Sequence, residues 1–132
     1  MNYLVDTHIF LWTILSSKLV PKKIKSILSD PENNKYLSVI TLWEISLKFS
    51  LGKLDLKGAL PDKLPSVAEN TGFELLNINK EIASSFYKLP IVKTKDPFDR
   101  MLAWQAINSD LILLTADSSF ADYKKAGLKI NN

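Results

Sequence analysis

The sequence predicts an α/β fold, a parallel sheet of about five strands with helices on both faces. Three observations lead there. Short runs that are apolar end to end alternate with amphipathic stretches along the chain, the pattern of strands buried on both faces between crossover helices. The length of 132 residues suits one domain spanning 1–132, and 46% hydrophobic residues supply a core for it. No repeats, linkers or low-complexity tracts interrupt the alternation.

The elements follow in order. NYLVD (2–6) is a β-favouring apolar run, too short for a helix, that ends on an acid. HIFLWTIL continues apolar at helical spacing. Val20, Ile24, Ile27 and Leu28 then form a helical stripe that Asp30-Pro31 closes. KYLSVI (35–40) reads as the second buried strand. TLWEISLKFSLGK reads as the next helix, carrying Leu42, Ile45 and Phe49 and ending near a glycine. A proline-containing segment around 58–66 leads into a short helix, and FELLNI (73–78) is the third strand. NKEIASSFYKL is helical in pattern, PIVKTK a loop, and DPFDRMLAWQAINS a helix. LILLTAD (111–117) is the fourth strand, SSFADYKKAG a helix ended by Gly127, and LKI a short fifth strand.

Composition excludes several chemistries. Without cysteine there is no disulfide, thiolate nucleophile or thiolate metal site, and a single histidine argues against clustered zinc ligands. No apolar run reaches the roughly 18 residues of a membrane span, and the N-terminus lacks a charged n-region and cleavage site. The expectation is a cytoplasmic protein with no membrane association. P-loop, GxGxxG and nucleophile-elbow motifs are missing too. A net charge of +3 permits a nucleic-acid partner, although a solvated lysine surface explains it equally well.

The acids carry more information. In a parallel sheet, ligands gather beyond the carboxyl ends of the strands, where the N-termini of the returning helices also open. Asp6 ends the first strand, Glu44 opens the helix after the second, Asp96 and Asp99 open the helix before the fourth, and Asp117 ends that strand. All five therefore face one edge. Four of them have a ready structural role, and Asp6 is the hardest to dismiss, because a carboxylate closing a buried central strand is costly without a partner. Thr41-x-x-Glu44 reads as a capping box, Asp96 before Pro97 as an N-cap, Asp99 as a first-turn anion, and Asp117 as a cap of the last helix. Those roles leave the convergence unexplained. Crowded carboxylates raise one another's pKa, and a hard divalent cation such as Mg²⁺ relieves that penalty. Such a site suits metal-assisted hydrolysis of a phosphodiester.

Taken together, DTHIFLW, TLWEIS, DPFDRMLAWQA and LLTADSSF resemble the PIN-domain ribonucleases, closest to the VapC-like toxins of type II toxin–antitoxin pairs. The resemblance spans essentially the whole chain. It implies a three-layer α/β/α sandwich about the parallel sheet, and a quartet of Asp6, Glu44, Asp99 and Asp117 holding Mg²⁺ or Mn²⁺ directly or through water. It also implies an RNA substrate, a cognate antitoxin and a homodimer. Asp96 then becomes the cap beside the quartet, and Thr115 matches a hydroxyl residue that orients a carboxylate or a water. His8 departs from the Asn or Ser frequent there; it is either a contact or proton shuttle of the site, or simply a packed or solvated side chain. Arg100 pairs with an acid or RNA phosphate, or forms a structural ion pair elsewhere. Phe10, Trp12, Trp43 and Leu47 are the expected antitoxin groove, and Trp12, Trp43 and Trp104 otherwise read as core or interface residues.

Other classes fit less well. A receiver domain needs an acidic pair after the first strand and an aspartate ending the third, whereas this chain has Asp6-Thr7-His8 and FELLNIN. Asp-x-Asp phosphatases fail at His8 for the same reason. A catalytically silent RNA-binding module leaves the intact acidic quartet without a purpose. A free-standing RNA-processing PIN nuclease is the remaining alternative.

Overall fold

The computed structural model describes residues 1–131. Five parallel strands, β1 (Asn2–Val5), β2 (Asn34–Ser38), β3 (Glu74–Leu76), β4 (Ile112–Leu114) and β5 (Lys129–Asn131), form one sheet in the order β3-β2-β1-β4-β5. The chain builds outward from β1 to β3 and then returns to the other side of β1 with β4. The crevice between the ends of β1 and β4 is therefore the topological switch point, where open α/β sheets bind ligands.

The helices are α1 (Thr7–Leu15), α2 (Lys22–Ser29), α3 (Val39–Ser50), α4 (Leu64–Asn70), α5 (Lys80–Ser85) and α6 (Pro97–Asn108). Alternation along β1 divides the core. Tyr3 and Val5 pack with Ile9, Phe10, Ile24, Ile45, Leu64 and Ala68 on one face. Leu4 packs with Leu102, Ala103, Ala106, Phe120 and Tyr123 on the other. Helices thus cover both faces of an apolar parallel sheet, giving the three layers expected.

Two elements differ from expectation. The second strand stops at Ser38, because its hydroxyl accepts from the Ile40 amide at 3.0 Å and starts α3 two residues earlier. Val39 and Ile40 are thus helical, a distinction that an apolar run cannot make by periodicity. The stretch Ser118–Ala126 is a 3-10 helix throughout. Its threefold period aligns Phe120, Tyr123 and Ala126 on one face, and all three join the core. At its end Gly127 adopts φ +103°, which closes the turn. The C-terminus of α3 is a Schellman motif: Lys53 N–H donates to the Lys48 carbonyl and Gly52 N–H to that of Phe49, with Gly52 at φ +71°. Among the described residues no helix is long and apolar enough to cross a membrane.

Candidate active site

Asp6 follows β1 directly and is 3% exposed. Its carboxylate caps α1 by accepting from the Ile9 amide at 2.8 Å, and its second oxygen accepts from the Thr115 hydroxyl. Thr115 is fully buried and itself accepts from the Asp117 amide at 2.9 Å. One threonine thus ties the ends of β1 and β4 together and fixes an Asp6 oxygen. Burial pushes the Asp6 carboxyl above its ordinary pKa, the Thr115 and Ile9 hydrogen bonds and the His8 charge oppose this, and Asp117 adds to it.

Glu44 is not a capping residue. Because α3 starts at Val39, Thr41 lies inside the helix and Glu44 falls in its second turn, 3% exposed. Its Oε1 accepts from the Thr7 hydroxyl at 2.6 Å and its Oε2 from the Lys48 ammonium. Thr7 Oγ1 and Thr41 Oγ1 lie 3.1 Å apart. Since the one Thr7 proton points to Glu44, Thr41 must be the donor between them.

Asp96 caps α6, accepting from the amides of Phe98 at 2.8 Å and Asp99 at 3.1 Å, with Pro97 at the first helical position. Asp99, in the first turn, has its pKa raised to about 7, by burial first and then by the charges of Asp96, Glu44, Asp6 and Asp117. That set of neighbours shows the convergence: strands and helices distant in sequence bring their carboxylates into one field. Asp117 accepts from the Ser119 amide at 2.9 Å and starts the last helical segment. A cleft of about 250 Å³ lined by Asp6, His8, Trp12, Ala116 and Asp117 opens there. His8 is exposed on its rim, its ring 6.0 Å from that of Trp12.

Among the described residues Arg100 forms no ion pair, with the site acids or elsewhere. Its guanidinium donates to the carbonyls of Leu89 and Pro90 and to the Tyr123 hydroxyl, lying over the rings of Phe86 and Tyr123. Five rigid donors suit this role, which ties the loop before α6 to the core. Phe10 is fully buried in the core and so leaves the expected groove, and Trp12 is half-buried. Trp43 is 61% exposed, its ring edge-on to Phe98 at 5.1 Å, and Trp104 donates to the Ile82 carbonyl at 3.0 Å.

Two residues escaped the sequence reading. Lys48 had a visible signal, since Glu44 and Lys48 stand four apart in the orientation that favours a helical ion pair. Thr7 had none, because its partner Glu44 comes 37 positions later.

The donor set consists of carboxylate oxygens, with Lys48 their one salt-bridge partner among the described residues, and the raised Asp99 pKa registers the excess of negative charge. Among the described residues no three acidic or histidine side chains stand close enough to share one ion directly. Carboxylate oxygens are nonetheless the hard donors that Mg²⁺ takes, one or two at a time, while it keeps several waters.

The two aspartates that open α6 are separable by substitution. Asp96→Asn keeps a capping side chain and is expected to change stability and activity little, whereas Asp96→Ala should cost about 1 kcal/mol. Thermal melts and an activity assay of both variants check this. A large loss of activity in folded Asp96→Asn would place Asp96 among the site acids.

The sequence model of the PIN domain matches residues 3–126. No curated protein matches the chain. Among solved structures, VapBC2 from Rickettsia felis bound to a promoter DNA fragment is 19% identical at a TM-score of 0.70, with 100% of this chain and 98% of that chain covered. VapBC-1 from nontypeable Haemophilus influenzae is 20% identical at a TM-score of 0.68, with the same coverage of 100% and 98%. A toxin–antitoxin complex from Klebsiella pneumoniae is 18% identical at 0.63, covering 98% of this chain and 96% of that one.

Proposed function

Because the chain belongs to the PIN-domain family, we propose that it is a Mg²⁺- or Mn²⁺-dependent endoribonuclease, the toxin of a type II toxin–antitoxin pair. The observation that carries this reading is the convergence of Asp6, Glu44, Asp99 and Asp117 at the switch point of the sheet. These four residues would hold the cation, directly or through its waters. Once bound, it supplies Lewis-acid activation of water and stabilises the charge that develops at the phosphodiester.

The chain's own residues set the geometry. Thr115 holds one Asp6 oxygen and Thr7 holds one Glu44 oxygen, so both buried carboxylates keep a fixed direction. Their other oxygens are left for Ile9 N–H and for Lys48. Asp99 is partly exposed and Asp117 exposed, so a phosphate approaching them would meet negative charge, which a cation between would offset.

A partner protein belongs to the same reading. Trp43, Leu47 and Leu51 are 61%, 38% and 58% exposed and follow one another at helical spacing along α3 and its cap. This apolar stripe starts beside Glu44. An amphipathic antitoxin segment would pack there, with a basic side chain reaching the acids, and a homodimer is the further assembly expected. That one similar structure is a toxin–antitoxin complex supports the assignment.

Purified protein incubated with total RNA is expected to cleave it with Mg²⁺ or Mn²⁺ and not with EDTA, and to lose that activity when co-expressed with the adjacent open reading frame. Metal-independent cleavage, or none, removes the nuclease reading. A complex that cleaves as well as the free chain, or no complex, leaves a free-standing RNA-processing nuclease.

A further inference from the structure

Glu44 is nearly inaccessible, and both of its oxygens are engaged: Oε1 by the Thr7 hydroxyl, Oε2 by the Lys48 ammonium. A buried carboxylate is tolerated when a counter-ion and hydrogen bonds replace its lost water. Lys48 is that counter-ion. The other ion pair among the described residues, Lys129–Asp110, lies exposed and far along the sheet at β5. The Lys48 ammonium also sits in the fields of Asp96 and Asp99: burial lowers its pKa, but the bond to Glu44 and the three acidic charges outweigh burial and raise it.

The same position makes Lys48 a rival to any cation at the acids. Two positive charges a few ångströms apart repel, and a divalent ion that engages Glu44 has to share or displace the ammonium. Displacement is available to it. The Lys48 side chain is 39% exposed, against 3% for Glu44, so its flexible stem can carry the ammonium outward while Glu44 stays in place. We propose that Lys48 is a positioning residue, the resident counter-ion that holds Glu44 in the metal-free protein and competes with the divalent cation for it. This rests on the metal-dependent reading above.

The test is calorimetric titration of the full-length protein with MnCl₂ or MgCl₂ alone, paired with melting in EDTA. Lys48→Met is expected to bind the ion about tenfold more tightly, the attraction being no longer opposed by a charge a few ångströms away. Its melting temperature without metal should fall. Lys48→Arg, which keeps the charge, should retain wild-type affinity, and Lys48→Gln gives the neutral readout should Lys48→Met fail to fold. Equal or weaker binding by a folded neutral variant overturns the proposal. Absence of metal binding in wild type and variants overturns it together with the metal-site reading. Tighter binding in proteins that do not cleave RNA would uphold Lys48 while the nuclease reading falls.

Discussion

RNA cleavage is expected to fall on the order of a hundredfold or more when any one of Asp6, Glu44, Asp99 or Asp117 is converted to its amide, since groups that only support metal ligands already account for 10- to 100-fold. The structure makes the accompanying stability changes differ. In Asp99→Asn a partly buried carboxylate leaves a field of four other acids, so the metal-free protein should melt higher. Glu44→Gln places an amide NH₂ against either the Lys48 ammonium or the Thr7 hydroxyl, both of which donate to Glu44. That variant should melt lower. Asp117→Asn keeps its capping oxygen and should change little, whereas Asp6→Asn keeps the oxygen that caps α1 but turns an amide NH₂ toward the buried Thr115 hydroxyl that donates to Asp6, and should melt lower. Circular dichroism melts in EDTA, run beside a gel assay on total RNA, read both effects. Two or more folded variants with near wild-type cleavage would remove the assigned site, and a Glu44→Gln protein that melts higher would contradict the part given to Lys48.

The divergence between Glu44 and Asp99 marks where sequence reasoning stops. Order and type of the elements were legible because a parallel sheet buried on both faces forces continuous apolar runs, and YLV in β1 and ILL in β4 are such runs. From that alternation it followed that strand ends and helix starts share an edge, and hence that the acids meet. The start of α3 was not legible. SVITLWE contains two residues able to cap, Ser38 and Thr41, and periodicity does not choose between them. The helix is capped by Ser38, which puts Glu44 in its second turn and not in a capping box. Thr7 and Thr41 were out of reach for a related reason: their bonds join α1 to α3, and nothing local to either threonine encodes the partner. Arg100 shows the limit of charge reasoning. Its partners are carbonyls and a phenol, groups that every sequence offers in number and that no charge pattern reveals.

The metal-free protein is expected to lose stability as pH rises from about 4 to about 7, against the usual behaviour of a carboxylate in an ion pair. Asp99 titrates near 3.9 in an unfolded chain, but in the fold burial, and then Asp96, Glu44, Asp6 and Asp117, raise it to about 7. Between those values the native state keeps a proton that the unfolded state has released, so stability falls with pH. The contribution is whole below about pH 4 and gone once the folded carboxyl has ionised above about pH 7. Asp6, raised chiefly by burial, acts in the same direction. Solvent screening at the partly exposed Asp99 leaves on the order of 1–2 kcal/mol, which for a chain of this size is a fall of several degrees in melting temperature. Asp99→Asn removes the titrating group and should flatten most of that slope. Saturating Mg²⁺ should do so from the other direction, because the cation binds the ionised acid and its stabilising effect grows as the proton leaves. Melts of both proteins across this range, with EDTA and with Mg²⁺, decide the matter. An Asp99→Asn protein with the wild-type slope would mean that the proton is held elsewhere, and that Asp99 lies outside the field of the other acids.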